Sequence, residues 1–103
     1  MAVRCVRLTT GEEIIASVRE TENGWELETP ANIFMQPDGK GNVRIALMPL
    51  FPYAEKPEFI FPKSAVVTSF EPSAALYNEY SRIFRSGLLI PSIDIDQSKL
   101  IVG

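Results

Sequence analysis

The chain has 103 residues, of which 46% are apolar, and it carries a net charge of −3 at pH 7, with no histidine and one cysteine. This length has room for one domain with a modest core. Without histidine and with one cysteine, the chain cannot form a Ser-His-Asp or Cys-His catalytic group, a zinc site built from histidine or cysteine, or an internal disulfide. Its net negative charge disfavours binding of nucleic acid through a broad positive surface.

The first two predicted strands form a hairpin. Residues 3–9 are rich in β-formers, and Gly11 suits the tight turn that follows because glycine adopts positive φ without strain. Residues 12–19 then alternate with a period of two, with Ile14, Ala16 and Val18 on one face. This alternation predicts a half-buried strand.

Two further hairpin signals follow. Asn23 and Gly24 form the dipeptide most typical of a short hairpin, and residues 25–36 resume as a strand. Pro30 interrupts that strand, which must therefore bend, bulge or lie at an edge there, because proline has no N–H for the ladder. The Gly-rich segment of residues 37–42 predicts the next hairpin loop, before a strand over residues 43–48.

Residues 49–57 contain three prolines and form a loop that is longer and more apolar than an ordinary turn. Three of its residues are candidates for an exposed binding surface: Phe51, Tyr53 and Lys56. Aromatic rings beside a cation can stack on nucleobases, but loop packing against the helix or a neighbouring subunit is the favoured interpretation. Residues 59–68 are predicted as the last core strand, bent or at an edge at Pro62.

From Pro72 the period changes to that of an amphipathic helix, with an apolar stripe made of Leu76, Tyr80, Ile83 and Phe84. The predicted helix spans residues 72–86, and Gly87 is placed to end it. We expect its apolar stripe to pack on one face of the sheet. The tail from residue 88 to 103 alternates in polarity and is expected to add as a strand to this sheet or to a neighbour's.

Five short strands at roughly ten-residue spacing, with one covering helix, predict a mainly β protein built on a small, strongly bent, five-stranded antiparallel barrel. The barrel is expected over residues 1–70. Residues 71–103, the helix and tail, are expected to pack on it within the same single domain.

Few side chains offer chemistry. The acidic pairs Glu12-Glu13, Glu20-Glu22 and Asp94-Asp96 are typical of solvated strand faces, and Cys5 lies among apolar residues and is expected in the core. We therefore expect no enzyme, no catalytic residue, no metal site and no cofactor. Lys40 and Arg44, in the hairpin whose loop is residues 37–42, are candidate phosphate contacts, or the charges of a solvated turn.

The segment of residues 3–28 resembles the first signature of the Sm-like (LSm) family. That signature runs Leu-x-x-Gly-x-x-apolar-x-Gly-x-Leu, followed by an acidic turn and apolar-Asn-apolar. Three positions match it directly: Leu8, Gly11 and Ile14. Three others hold a related residue: Ala16, Val18 and Glu22. The Thr-Gly-Glu-Glu start and a helix after the strands are similar to Sm-like proteins of marine bacteriophages.

The resemblance implies a five-stranded barrel whose copies pair their edge strands into a ring that binds single-stranded RNA. It places Trp25 at the base-stacking position and Lys63 where the family has an Arg-Gly pair. Glu26 stands where the family has asparagine, which puts the usual uridine slot in doubt. The RNA-binding candidates are Trp25, Lys40, Arg44 and Lys63.

A chain this short and this apolar is expected to cover part of its surface with further copies of itself. The first residues lack a secretory pattern and no apolar stretch approaches 18 residues, so we expect a cytoplasmic protein without a membrane partner. Two functions stay open: a ring-forming Sm-like protein that binds single-stranded RNA in RNA metabolism, and an oligomeric protein-interaction or scaffold module without nucleic acid.

Overall fold

The computed structural model describes residues 1–85, which divide into two compact units at residue 73. The first unit holds all the strands: β1 (Ala2–Leu8), β2 (Glu13–Thr21), β3 (Gly24–Pro37), β4 (Val43–Pro49), β5 (Glu58–Phe61) and β6 (Val66–Phe70). A 3-10 turn, Lys63–Ala65, joins β5 to β6. The second unit begins with the short helix α1 (Ala74–Tyr80).

The strands form one six-stranded antiparallel sheet in the order β4-β3-β2-β1-β6, with β5 paired to the first part of β3. The predicted mainly β, antiparallel class with one short helix after the strands is therefore confirmed. The strand limits deviate from prediction by one or two residues over most of the sheet, as frayed strand ends do.

Strand β3 organises the sheet because it is the longest strand and has two different partners on one edge. Its first part pairs with β5 and its second part with β4, and the change falls at Thr29 and Pro30. Thr29 has a φ of 52°, and its N–H donates to the Pro57 carbonyl at 2.7 Å, while Leu50 N–H donates to the Pro30 carbonyl at 2.8 Å. β4 and β5 are thus one interrupted strand, and residues 51–56 loop out between its halves.

The predicted last strand over residues 59–68 is wrong in one respect, because it is two strands. Pro62 has no N–H to continue the ladder, and the Ala65 N–H donates to its carbonyl at 2.9 Å, which closes the 3-10 turn. The chain leaves β3 before that turn and pairs with β1 after it. The sheet consequently has six strands instead of five.

The predicted closure into a barrel is also wrong. Within residues 1–85, β5 and β6 pair with β3 and β1 and not with each other. The sheet is nevertheless strongly curled: the connection from Phe61 to Val66 reaches about 14 Å at most, whereas a flat sheet would hold β5 and β6 about 19 Å apart. The two outer strands approach each other without completing the ladder.

The core of the first unit lies on the inner side of this curl. Its buried members come from β1, β2 and β3: Val6, Leu8, Ile14, Ala16, Val18 and Leu27. Four partly buried side chains pack against them: Trp25, Leu50, Phe61 and Val66. Cys5 is buried as predicted, and burial is the main reason that the pKa of its thiol is raised.

In the second unit, helix α1 is shorter than the predicted span of residues 72–86, and a π-helical turn, Ser81–Arg85, continues it. Leu76 and Tyr80 of the predicted stripe are buried, and the rings of Tyr80 and Phe84 lie 5.3 Å apart. Glu79 and Arg82 form an ion pair one turn apart, at 2.6 Å.

Several expectations concern residues beyond 85 and lie outside the described part of the chain. These are the role of Gly87 at the helix end, the Asp94-Asp96 pair and the strand expected in the tail from residue 88 onward. The packing of residues 71–103 on the sheet stays a prediction.

Candidate functional site

Trp25 and Lys63 lie at the same end of the sheet. Trp25, near the start of β3, is half-buried and packs against the core, and it pairs across the ladder with Phe61 of β5. Lys63 follows two residues later and begins the 3-10 turn. The structure therefore places at one end of the sheet the two residues that the family resemblance assigns to one RNA slot.

The charges around this end are matched in pairs. Arg19 and Glu26 face each other across β2 and β3, with Nη2 2.5 Å from Oε1, and the Nζ of Lys63 lies 3.9 Å from a carboxylate oxygen of Glu20. Exposed pairs of this kind contribute about 0–1 kcal/mol each, so Lys63 can exchange its partner at little cost. Its accessible ammonium group is consistent with a phosphate contact.

The turn between β2 and β3 is pressed against β5. Gly24 has a φ of 144°, and a Cβ built there would lie 2.3 Å from the Phe61 carbonyl oxygen. Only glycine fits this contact without moving the backbone. Gly24 therefore sets the distance between the β2–β3 turn and the strand that leads to Lys63.

Lys40 and Arg44 lie on the other hairpin, near the opposite end of β3, where Arg44 pairs with Gln36. Asp38 shapes that loop: its carboxylate accepts hydrogen bonds from the N–H groups of Lys40 at 2.7 Å and Asn42 at 3.2 Å. These bonds, led by the one from Lys40, lower the pKa of Asp38. The predicted cations thus form two separate groups, one at each end of β3.

The outer half of the β3–β4 hairpin projects past the rest of the sheet, because β2 pairs with β3 only as far as Asn32. Its exposed apolar side chains are Phe34, Met35, Val43 and Met48. A two-stranded ribbon is only marginally stable by itself. Its apolar surface suits contact with another protein chain.

Two unlike edges of the sheet are open within residues 1–85. Among the described strands, β6 pairs only with β1, and β4 and β5, the two halves of the interrupted strand, pair only with β3. Val67 on β6 is 59% exposed and Ile60 on β5 is 66% exposed. The β6 sequence, Val-Val-Thr-Ser-Phe, carries no charge or proline that would discourage another strand from pairing with it.

These edges were not among the predicted site residues. The signal is present in the sequence, since residues 66–70 are an uncharged run with three β-branched residues that begins four positions after Pro62. A single strand over residues 59–68 does not reveal it, because only the split at Pro62 separates an edge on β5 from an edge on β6.

In the proline-rich loop, Phe51 and Tyr53 have different surroundings. Phe51 is half-buried, with its ring 4.8 Å from Phe59 and 6.5 Å from Phe61, whereas Tyr53 is 83% exposed and touches Phe51 edge-on at 6.2 Å. Phe51 therefore anchors the loop to the strands. Tyr53 alone presents a free aromatic surface.

Within residues 1–85, no three His, Cys, Asp or Glu residues are grouped closely enough to hold a metal ion, and Glu13 is ion-paired with Arg7. No helix in that part of the chain has the length and apolar character needed to cross a bilayer. Neither protein-family models nor curated protein sequences give a match to this chain.

Proposed function

We propose that this chain is the subunit of a cytoplasmic, homo-oligomeric Sm-like ring that binds single-stranded RNA and acts in RNA metabolism. The observation that carries the proposal is the pair of unlike, apolar, open strand edges on β5 and β6. It is supported by the resemblance of residues 3–28 to the Sm-like signature and by the break of the sheet at the 3-10 turn.

Open edges favour pairing with another chain because their N–H and C=O groups lack strand partners. The two edges here differ in sequence, so pairing β5 of one copy with β6 of the next is a heterologous contact. A heterologous contact repeats around an axis and closes into a ring when its rotation divides a full turn. Each added subunit would also cover Ile60 and Val67, which are now exposed.

Native mass spectrometry with size-exclusion chromatography tests assembly. We expect one discrete, closed oligomer for the natural chain. Val67→Lys places a charge on the β6 edge and should shift the mass toward the monomer. Tyr53→Lys is the control, since Tyr53 is also a large exposed side chain but lies in the loop of residues 51–56, outside every strand edge. A monomeric natural chain, or equal effects of the two substitutions, would remove the ring from the proposal.

RNA binding is proposed at the end of the sheet that holds Trp25 and Lys63. Trp25 would supply an aromatic ring, which is only partly buried, and Lys63 a cation at the same end of the sheet, the combination used for unpaired bases and their phosphates. Glu26 is held by Arg19 and Glu20 faces Lys63, so net attraction for phosphate is small. We therefore expect weak binding that falls steeply with salt.

Fluorescence anisotropy with U-rich and A-rich oligonucleotides at low salt tests the RNA part. Lys63→Ala should weaken binding, and comparison with Lys40→Ala and Arg44→Ala decides which end of β3 contacts RNA. An oligomer that binds neither oligonucleotide at micromolar concentration would exclude RNA while leaving the ring intact.

That last outcome would favour a second function, an oligomeric protein-interaction or scaffold module. The observation in its favour is the exposed apolar ribbon, which includes Phe34, Met35 and Val43. Apolar surface of this kind is typical of protein contacts and contributes nothing to phosphate binding.

A further inference from the structure

A cavity of about 320 Å³ opens at the end of the sheet where β1 turns into β2. This volume falls within the range of about 300–1,000 Å³ that is usual for sites of small organic ligands. It lies at the opposite end of β1 from Ala2, beside the β1–β2 turn, and its lining includes neither Trp25 nor Lys63. The two lining residues nearest to the proposed RNA site are Phe61, the ladder partner of Trp25, and Ala65, which ends the 3-10 turn that Lys63 begins.

The inner part of the cavity is apolar. It is formed by the ends of several strands and the loop after β4, with Leu8, Leu50, Phe51 and Phe61 as its larger side chains. Leu50 and Phe61 also pack against the core, and Phe51 is fixed by its ring contacts with Phe59 and Phe61. Because these side chains offer no hydrogen bonds, the part of a ligand that enters must be apolar.

The rim is polar and carries a single formal charge, that of Glu12. The Thr10 hydroxyl donates to its carboxylate at 2.9 Å, and the Leu8 N–H donates to its backbone carbonyl at 2.9 Å, which fixes the turn. Its neighbour Glu13 is ion-paired with Arg7, but no ion pair within residues 1–85 includes Glu12. The lining also contains the amide of Asn32 and no lysine or arginine.

From this arrangement we propose that the cavity binds a small organic amine, with an aryl or alkyl body among Leu50, Phe51 and Phe61 and an ammonium group at Glu12. A cation meets a carboxylate that takes part in no ion pair within residues 1–85, in a lining that also includes Asn32, while its body covers apolar surface. An anion of the same shape meets a like charge. The inference does not require a ring or RNA binding.

The test is an NMR titration of the full chain, labelled with ¹⁵N, using 2-phenylethylamine as the probe. For so small a ligand we expect a dissociation constant of about 1 mM. Shift changes should centre on residues 8–12, Asn32 and residues 50–51. 3-Phenylpropanoate, which has a similar body and the opposite charge, should cause no such changes at the same concentrations.

Glu12→Gln separates charge from shape, because Glu12 is exposed and the amide preserves its size. It should weaken amine binding about tenfold, the usual effect of losing one charge-assisted hydrogen bond. Glu22→Gln, at the exposed turn between β2 and β3, is the matched control and should leave binding unchanged. Equal shifts with the amine and the carboxylate, shifts confined to other residues, or unaltered binding by Glu12→Gln would each overturn the proposal.

Discussion

Replacing Gly24 by alanine tests how tightly the β2–β3 turn is pressed against β5. The new Cβ would lie 2.3 Å from the Phe61 carbonyl oxygen, so the two backbones must separate by roughly 0.7 Å to reach even 3.0 Å, a distance that Cβ contacts essentially never undercut. Phe61 belongs to the core packing and to a four-pair ladder with β3, and both would be disturbed.

We expect Gly24→Ala to lower the free energy of unfolding by about 2–4 kcal/mol, since strain from positive φ adds about 1 kcal/mol to a core displacement of about 1–3 kcal/mol. Gly11→Ala is the control: Gly11 also has positive φ, 96°, but a Cβ there meets nothing within 4 Å. That variant should lose only the strain, about 1 kcal/mol.

Urea denaturation followed by tryptophan fluorescence measures both variants, at one protein concentration because assembly makes the midpoint depend on it. With an m-value of about 1–1.5 kcal/mol/M, Gly24→Ala should move the midpoint down by roughly 2 M and Gly11→Ala by less than about 1 M. Equal midpoints for the two variants would show that the β5 contact does not restrict this position.

Three further results are expected. Leu27→Ala removes a side chain that is 1% exposed and should cost about 2–5 kcal/mol by urea denaturation, and a loss below about 1 kcal/mol would place it outside the core. Burial raises the pKa of the Cys5 thiol in the folded state. The contribution of this thiol to the free energy of unfolding should therefore be fully present below the pKa of the thiol in the unfolded chain, and should be lost as the pH rises from that value to the pKa in the folded state. Urea midpoints should accordingly fall more with rising pH for the natural chain than for Cys5→Ala. Carbon-detected NMR titration should give Asp38 a pKa below its ordinary value, and the value should return toward normal with Asn42→Pro, which removes both the backbone and the side-chain donor of Asn42.

The sequence predicted the strands well where local signals were strong. The alternation in residues 12–19 identified β2, and the Gly-rich segment after Pro37 identified the loop before β4. In both cases the signal is carried by neighbouring residues, because polarity period and turn chemistry depend only on local sequence.

The sequence did not predict how the sheet ends. Pro62 was recognised as an interruption, but whether the chain bends within one strand or changes from β3 to β1 depends on the curl of strands far away in sequence. The cavity at Glu12 was missed for the same reason, since its apolar members lie as far along the chain as Phe61.

The loop of residues 51–56 leaves the sheet between two hydrogen-bonded positions, Leu50 to Pro30 and Thr29 to Pro57. The pairing of β4 and β5 with β3 is therefore fixed by these bonds and does not depend on the part of the loop that follows Phe51. Doubling the length of a flexible loop costs only about 0.6 kcal/mol. A peptide tag or a small reporter grafted after Ala54 should be displayed by the folded protein, which offers a way to label it while sparing both termini.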